Sequence, residues 1–274
     1  MRVTGRREFL ERAALAAAGL VAPGTAAARG GVDVERITLA LPSLHPAHDG
    51  IRVAQLSDIH VGARTAPSTI RAAIEAVQRF APDLVALTGD YVSRHRSEVG
   101  GVAELLGGLP GPVLAVLGNH DHLVDARGTA AALRAHGYEL IDNAWTTLRV
   151  RGEPLVVVGV GDLITGHADV ERAFRGAPGQ TPLVLAHGPR TADDLRRRGR
   201  PLACLSGHTH GGQVSLPIFT ALAFRGFMNE PYLRGLFRLG QVRLYVNRGI
   251  GTHGAFRFGS SPEVTLVTLR SAPA

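Results

Sequence analysis

The side chains able to do chemistry collect at five places in this sequence, each where an apolar run gives out. "SDIH" brings Asp58 and His60, "TGD" brings Asp90, and "GNHD" brings Asn119, His120 and Asp121; "AHGP" brings His187, and "SGHTHGG" brings His208 and His210. Together they offer carboxylates, imidazoles and one amide but no thiolate, a donor set suited to manganese, iron or zinc. Asp58, His60, Asp90, Asn119, His187, His208 and His210 are too many for one tetrahedral ion and suit two. A carboxylate is the usual bridge between neighbouring cations, because its oxygens can face two ions at once. Two cations about 3.5–4 Å apart clamp the attacking and leaving oxygens of a displacement at phosphorus. His208 and His210 stand one residue apart among glycines, where the backbone is permissive. Alternate residues of an extended loop face opposite sides, so the two imidazoles can serve different ions. Alone, the pair would equally suit a polar turn; the other four places favour the metal reading.

These places need a scaffold that brings them to one rim. Apolar runs alternate with helical ones from Val32 onward: a strand over 51–58, a helix over 67–80 opened by Pro67, a strand over 83–90, a short helix over 102–109 and a strand over 112–121. A helix and short strand follow within 128–141, then a hairpin of "TTLRV" and "EPLVVVGVGD" across Arg151 and Gly152. A strand over 181–189, a helix near 191–198 and a strand over 201–210 continue the alternation, and "VRLYVNRG" and "EVTLVTLR" close the chain as two strands. Strands joined by helical crossovers predict an α/β fold with ligands at the strands' carboxyl ends. The later hairpins add a second, mixed sheet, and one domain over 31–274 is the simplest account.

The bulk numbers agree with an ordered globular chain: 274 residues, 45% apolar and 19% charged. One cysteine, Cys204, excludes an internal disulfide framework and a cysteine-rich zinc site, and its apolar neighbours predict a buried, inert thiol. Net charge is +7, but all 30 basic residues are arginine, a uniform bias that reads as genomic composition and not as a nucleic-acid footprint. No nucleic-acid partner is expected. Residues 1–30 stand apart: Arg6 and Arg7, an alanine-rich apolar stretch from Ala13 to Ala22, then Ala26, Ala27 and Ala28. This resembles a twin-arginine export signal cleaved near residue 28, although Gly5 and Glu11 depart from its usual residues. It implies passage through the twin-arginine translocase to the periplasm, the cell wall or the outer face of the membrane.

The motifs "DIH", "GDY", "GNHD", "HGP" and "GHTHGG", in that order between residues 51 and 213, resemble the calcineurin-like metallophosphoesterase superfamily. "GHTHGGQVSLP", "YVNRGIG" and "PEVTLVTL" further resemble its bacterial YkuE/YaeI-like branch, which is often exported or membrane-associated. The resemblance implies a four-layer α/β/β/α sandwich holding two divalent metal ions. One ion would take Asp58, His60, Asp90 and His210; the other Asp90, Asn119, His187 and His208, with Asp90 as the bridge. His120 would be the non-ligand histidine beside the scissile phosphate, a cationic stabiliser or general acid. A metal-bridging hydroxide would then attack phosphorus in line, without a covalent enzyme intermediate.

Two departures matter. Ser93 stands where the phosphoprotein-phosphatase version of "GDYVSRH" has the aspartate that orients the catalytic histidine, leaving open what orients His120. Arg94 falls where that group has a phosphate-binding arginine, so it is a candidate substrate contact, with a solvated loop arginine as the competing reading. His122, His167 and His253 lie outside the motif set and read as surface or loop histidines.

Residues 216–239 hold four of the nine phenylalanines, Phe219, Phe224, Phe227 and Phe237, interleaved with Arg225, Arg234 and Arg238. Following His210 directly, they suit a hood in which Phe224 and Phe227 meet acyl chains or a membrane surface while arginines meet anionic head groups. Completing the core is the equal alternative. The expectation is an exported dinuclear phosphoesterase acting on a phosphoester or pyrophosphate bond, on a lipid-linked or envelope substrate. A small soluble phosphoester is the alternative substrate. A non-catalytic metal-binding envelope protein is the alternative class, one expected to lose His120 or the bridging carboxylate; both are present.

Overall fold

The computed structural model describes residues 24–27, 31–42, 44–62, 64–179, 183–213, 220, 222, 225–226, 229–253 and 257–272. Strands β1 (Gly24–Ala27), β2 (Asp33–Pro42), β3 (Ile51–Leu56), β4 (Leu84–Leu87), β5 (Val113–Ala115) and β6 (Glu139–Leu140) form one sheet with β13 (Glu263–Ala272), in the order β1-β2-β13-β3-β4-β5-β6. The second sheet comprises β7 (Ala144–Val150), β8 (Glu153–Val160), β9 (Leu183–Ala186), β10 (Leu202–Ser206), β11 (Gly235–Leu239) and β12 (Val242–Val246), in the order β11-β12-β10-β9-β8-β7.

Period-two alternation of apolar residues on both faces of each strand builds three cores and hence four layers. From β3, Ile51 and Val53 point between the sheets, while Ala54 and Leu56 point out. From β8, Leu155 and Val157 meet them inside, while Val156, Val158 and Val160 face out. The outer face of the first sheet is covered by α1 (Pro67–Phe80), α2 (Glu98–Leu105) and α4 (Ala126–Ala135), which follows the short α3 (Asn119–Val124). The second sheet is covered by α5 (Val170–Ala173) and α6 (Thr191–Arg197). The expected sandwich is present.

Helix α1 shows why local sequence suffices for some elements. Pro67 is pre-set for a first turn, Ile70, Ala73, Ile74 and Val77 are buried at helical spacing, and Ala81 ends the helix in the left-handed conformation. Other elements differ from expectation. The strand expected to reach residue 121 stops at Ala115, because Asn119–Val124 turns helical after Gly118. The two closing strands part company: β12 pairs with β10 and β11, whereas β13 inserts between β2 and β3. Cys204 is fully buried, and burial pushes its thiol up to about 12.

Of the segment read as an export signal, Gly24–Ala27 pairs antiparallel with β2; Arg6, Arg7 and the apolar stretch lie outside the described residues. Among the described residues no helix is long and apolar enough to cross a membrane.

Candidate metal centre and active site

Both sheets present carboxyl ends of parallel strands to one rim, and specific contacts hold them there. Gln55 on β3 donates from its amide to the Ser206 carbonyl of β10 at 2.9 Å and to Thr88 Oγ1 at 3.1 Å. Gly207 then lies so close to the β3 end that a Cβ would strike Ser57 Oγ and Asp58 Oδ2. The next residue uses that proximity: the His208 N–H lies 3.1 and 3.0 Å from the two carboxylate oxygens of Asp58.

Two ligand groups result. In the first, His210 Nε2 lies 3.3 Å from Asp58 Oδ1 and 3.0 Å from His60 Nε2. In the second, His187 Nε2 lies 3.2 Å from Asp90 Oδ2 and 3.3 Å from His208 Nδ1, and Asn119 Oδ1 lies 3.0 and 2.9 Å from the same two nitrogens. Asp90 Oδ2 is also 3.6 Å from His60 Nε2, so one oxygen reaches both groups. Its other oxygen accepts the His120 N–H at 2.8 Å. All seven ligand candidates are thus gathered, and each group draws on both sheets.

The donors fit a pair of divalent cations. His60 Nδ1 lies 3.1 Å from the Val92 carbonyl and His187 Nδ1 lies 2.8 Å from the Thr88 carbonyl, contacts that place the proton on Nδ1 and turn Nε2 inward as a ligand atom. His210 differs, since its Nδ1 faces the Arg257 guanidinium at 3.0 Å. Burial holds His60 down to about 3 and, with His187 nearby, His208 down to about 4. Burial with His60 and Arg257 holds His210 well below its ordinary value. These imidazoles are therefore neutral donors. Burial opposes charge on His187 too, but Asp90 overrides it and raises the ring to about 10. Burial raises Asp58 to about 6 against the pull of His187; at Asp90, His187 and His60 outweigh burial and hold the carboxyl well below the usual range.

The backbone carries the mark of a built site. Asp58, His60, Asp90, His208 and His210 all adopt φ between +47° and +73°. For a side chain with Cβ, that conformation costs on the order of 1–2 kcal/mol per residue, and such strain clusters where geometry serves function.

His120 lies beside both groups, and its Nδ1 is 2.6 Å from the Ser93 carbonyl oxygen. Asp121 faces away from it: its carboxyl oxygens accept the N–H groups of Asp90, Tyr91, Val92 and Gly118 at 2.8, 2.9, 3.3 and 2.8 Å. Arg94 is exposed, and its main-chain N–H is tied to Glu98 at 2.8 Å. Phe224 and Phe227 lie outside the described residues, whereas Phe237 packs on the outer face of the second sheet against Tyr232, ring centroids 5.2 Å apart.

His253, read from sequence as a loop histidine, belongs to the site. Its ring centroid is 4.6 Å from His120 and 5.5 Å from His60, and it lines a cavity of about 720 Å³ with Asp90, His120, Arg190 and Glu230. A weak signal was present: "GTHG" lies in the glycine-rich loop that follows β12. His167 is an exposed loop histidine, as read from sequence, whereas His122 is half-buried in α3; their rings stack with centroids 3.8 Å apart. Leu163 and Ile164 complete one apolar wall of the cavity, and Ile164 is half exposed.

Residues 51–212 match the calcineurin-like phosphoesterase family. Uncharacterized metallophosphoesterase YkuE of Bacillus subtilis is 30% identical over 296 aligned residues, covering 99% of each chain. Phosphodiesterase YaeI of Escherichia coli is 31% identical, over 80% of this chain and 82% of its own. The UDP-2,3-diacylglucosamine pyrophosphatase LpxG of Chlamydia trachomatis is 27% identical, over 85% of this chain and 88% of its own. Among solved structures, TT1561 of Thermus thermophilus shares the fold, with a TM-score of 0.51 and 14% identity over 73% of this chain and 90% of that one. Seven candidate ligands gathered on two facing sheets and a match across more than half the chain agree: this protein belongs to the calcineurin-like phosphoesterase family and is a metal-dependent hydrolase of phosphoester bonds.

Proposed function

We propose that the protein hydrolyses a phosphodiester or pyrophosphate bond in a lipid-linked or envelope substrate outside the cytoplasm, after export by the twin-arginine route. The observation that carries the reaction is Asp90, whose Oδ2 reaches both ligand groups while its Oδ1 accepts the N–H of His120. When bound, two divalent cations supply the activated water and neutralise charge on the phosphoryl oxygens. Asp58, His60, Asp90 and His210 would hold one, and Asp90, Asn119, His187 and His208 the other. His120, with Nδ1 on a carbonyl, has Nε2 left to donate a proton to the departing oxygen. Arg190 and Glu230 line the cavity beside it and suit the polar part of a leaving group. Support for a lipid-linked substrate comes from the apolar wall of Leu163 and Ile164 beside the metal groups and from the relative named as a diacylglucosamine pyrophosphatase; the relative named as a phosphodiesterase supports the type of bond. Support for export comes from Arg6, Arg7 and the apolar stretch behind them.

The test is a substrate panel. Manganese-loaded protein is given an aryl phosphate monoester, bis(4-nitrophenyl) phosphate, UDP-glucose, and a UDP-sugar carrying acyl chains in detergent micelles. The proposal expects the acylated pyrophosphate to have the highest kcat/KM. Equal or better turnover of the soluble esters would replace it with a small-substrate phosphoesterase.

A further inference from the structure

Resting on the phosphoesterase reading, we propose that His253 is a second phosphoryl-contacting residue that works with His120 to hold a non-bridging oxygen of the substrate. The loop after β12 delivers it. Ile250 and Gly251 donate their N–H groups to the carbonyls of Ser57 and Asp58 at 3.0 and 2.6 Å, which presses this loop against the first ligand group. The next two residues are anchored by side chains: Thr252 N–H on Thr65 Oγ1 at 3.1 Å, and His253 N–H on Gln213 Oε1 at 2.8 Å. The imidazole consequently lies over the cavity with its Nδ1 buried and without a hydrogen-bond partner. A polar ring in the cavity wall with a nitrogen left unpaired favours a ligand that can engage it.

Chemistry decides which ligand. His60, His120 and His253 offer nitrogens within metal-ligand reach of one another, which raises a third ion as an alternative. His60 has no atom to spare for one: Nδ1 lies on the Val92 carbonyl, and Nε2 belongs with His210 and Asp58. Two remaining imidazoles without a carboxylate of their own make a poor cation site. Arg94 and Arg64 stand near enough to act on His253 electrostatically. This corner therefore favours an anion, and the anion that must lie beside His120 during turnover is the phosphoryl group.

Inorganic phosphate is the probe. Wild type, His253→Ala, His253→Phe and His253→Asn are loaded with manganese. Metal content, phosphate affinity by calorimetry and kcat/KM on bis(4-nitrophenyl) phosphate are then measured. Removing one hydrogen bond to a charged group should weaken phosphate binding roughly 10–100-fold in the Ala and Phe variants, with metal content unchanged. Asn, whose amide nitrogen can stand in for Nδ1, should recover affinity to within a few-fold. His253→Phe keeps the ring volume and decides the matter if His253→Ala fails to fold. Wild-type phosphate affinity in His253→Phe overturns the proposal, and so does loss of metal, which would make His253 a ligand. A metal-loaded wild type that neither binds phosphate nor hydrolyses the diester overturns the phosphoesterase reading and this proposal with it.

Discussion

The Nδ1 atom of His120 lies 2.6 Å from the carbonyl oxygen of Ser93, and a carbonyl can only accept, so Nδ1 carries the proton. Position 93 orients the His120 imidazole through its main chain, and its own side chain takes no part in that contact. Ser93→Ala should therefore leave kcat within about threefold of wild type. His120→Ala should lower kcat roughly 10²–10⁴-fold, the range for a positioned acid, with metal content intact. Rates and metal analysis of the two variants check both statements, and a metal-free His120→Ala protein would contradict them.

Asp90→Asn should empty both ligand groups, because Asp90 Oδ2 is the atom near His60 and His187 alike. His208→Ala should weaken one ion only. Chelation of wild type should abolish hydrolysis and added manganese should restore it. Elemental analysis after desalting distinguishes loss of two equivalents from loss of one.

Gly207→Ala tests the approach of the two sheets at the rim. The new methyl would collide with Ser57 Oγ and Asp58 Oδ2, and relieving such overpacking costs typically about 1–3 kcal/mol. The expected result is a lower urea midpoint together with weaker binding of the ion on Asp58, His60 and His210. Gly152→Ala, in a hairpin with open space around it, should strain only its own turn and leave metal affinity unchanged.

Glu230 gives a pH signature. Burial lifts its carboxyl to about 7, against about 4.3 in an unfolded chain. The native state then binds the proton more tightly, so its contribution to stability falls as pH rises from about 4.3 toward 7 and is flat above. Glu230→Gln is neutral throughout. It should melt with wild type near pH 4.5 and exceed it by about 1–2 kcal/mol at pH 8, allowing for residual solvent screening. A constant difference between the two proteins across that range would show that the carboxyl is not displaced.

The proposed export rests on Arg6 and Arg7. Replacing both by lysine should retain the full-length protein in the cytoplasm, read by fractionation and immunoblotting. Unchanged export of the double variant would point to another route.

Much of the site was legible because each ligand follows a short apolar run, a one-dimensional signal that survives without coordinates. Asp58 and His60 after β3, Asp90 after β4 and His187 after β9 are of this kind. His253 escapes the rule: it stands seven residues beyond β12, its neighbours in sequence are glycine and threonine, and no carboxylate beside it marks it as chemical. The role of Ser93 was not legible at all, since residue types describe side chains and the working atom is a main-chain oxygen. In the fold, α1 could be read from its own residues, whereas the two closing strands could not be assigned to sheets. β13 joins β2 and β3 across more than two hundred residues of sequence separation, and such pairing is settled by which cores the strands bury, not by local pattern.

Each ligand group takes side chains from both sheets: Asp58, His60, Asp90 and Asn119 from the first, and His187, His208 and His210 from the second. Ions held by these groups would therefore clamp two halves of the fold as well as serve the reaction. By mass action, each clamp adds about 2.7 kcal/mol when free metal is a hundredfold above its dissociation constant, and nothing when metal is scarce. The rim is also where five residues sit in left-handed backbone, a conformation costly for a side chain with Cβ. Starved of metal, the molecule should come apart first along the seam under Gln55 and Gly207, exposing the inner faces of both sheets to proteases. Its lifetime then depends on the metal supply wherever it acquires its ions.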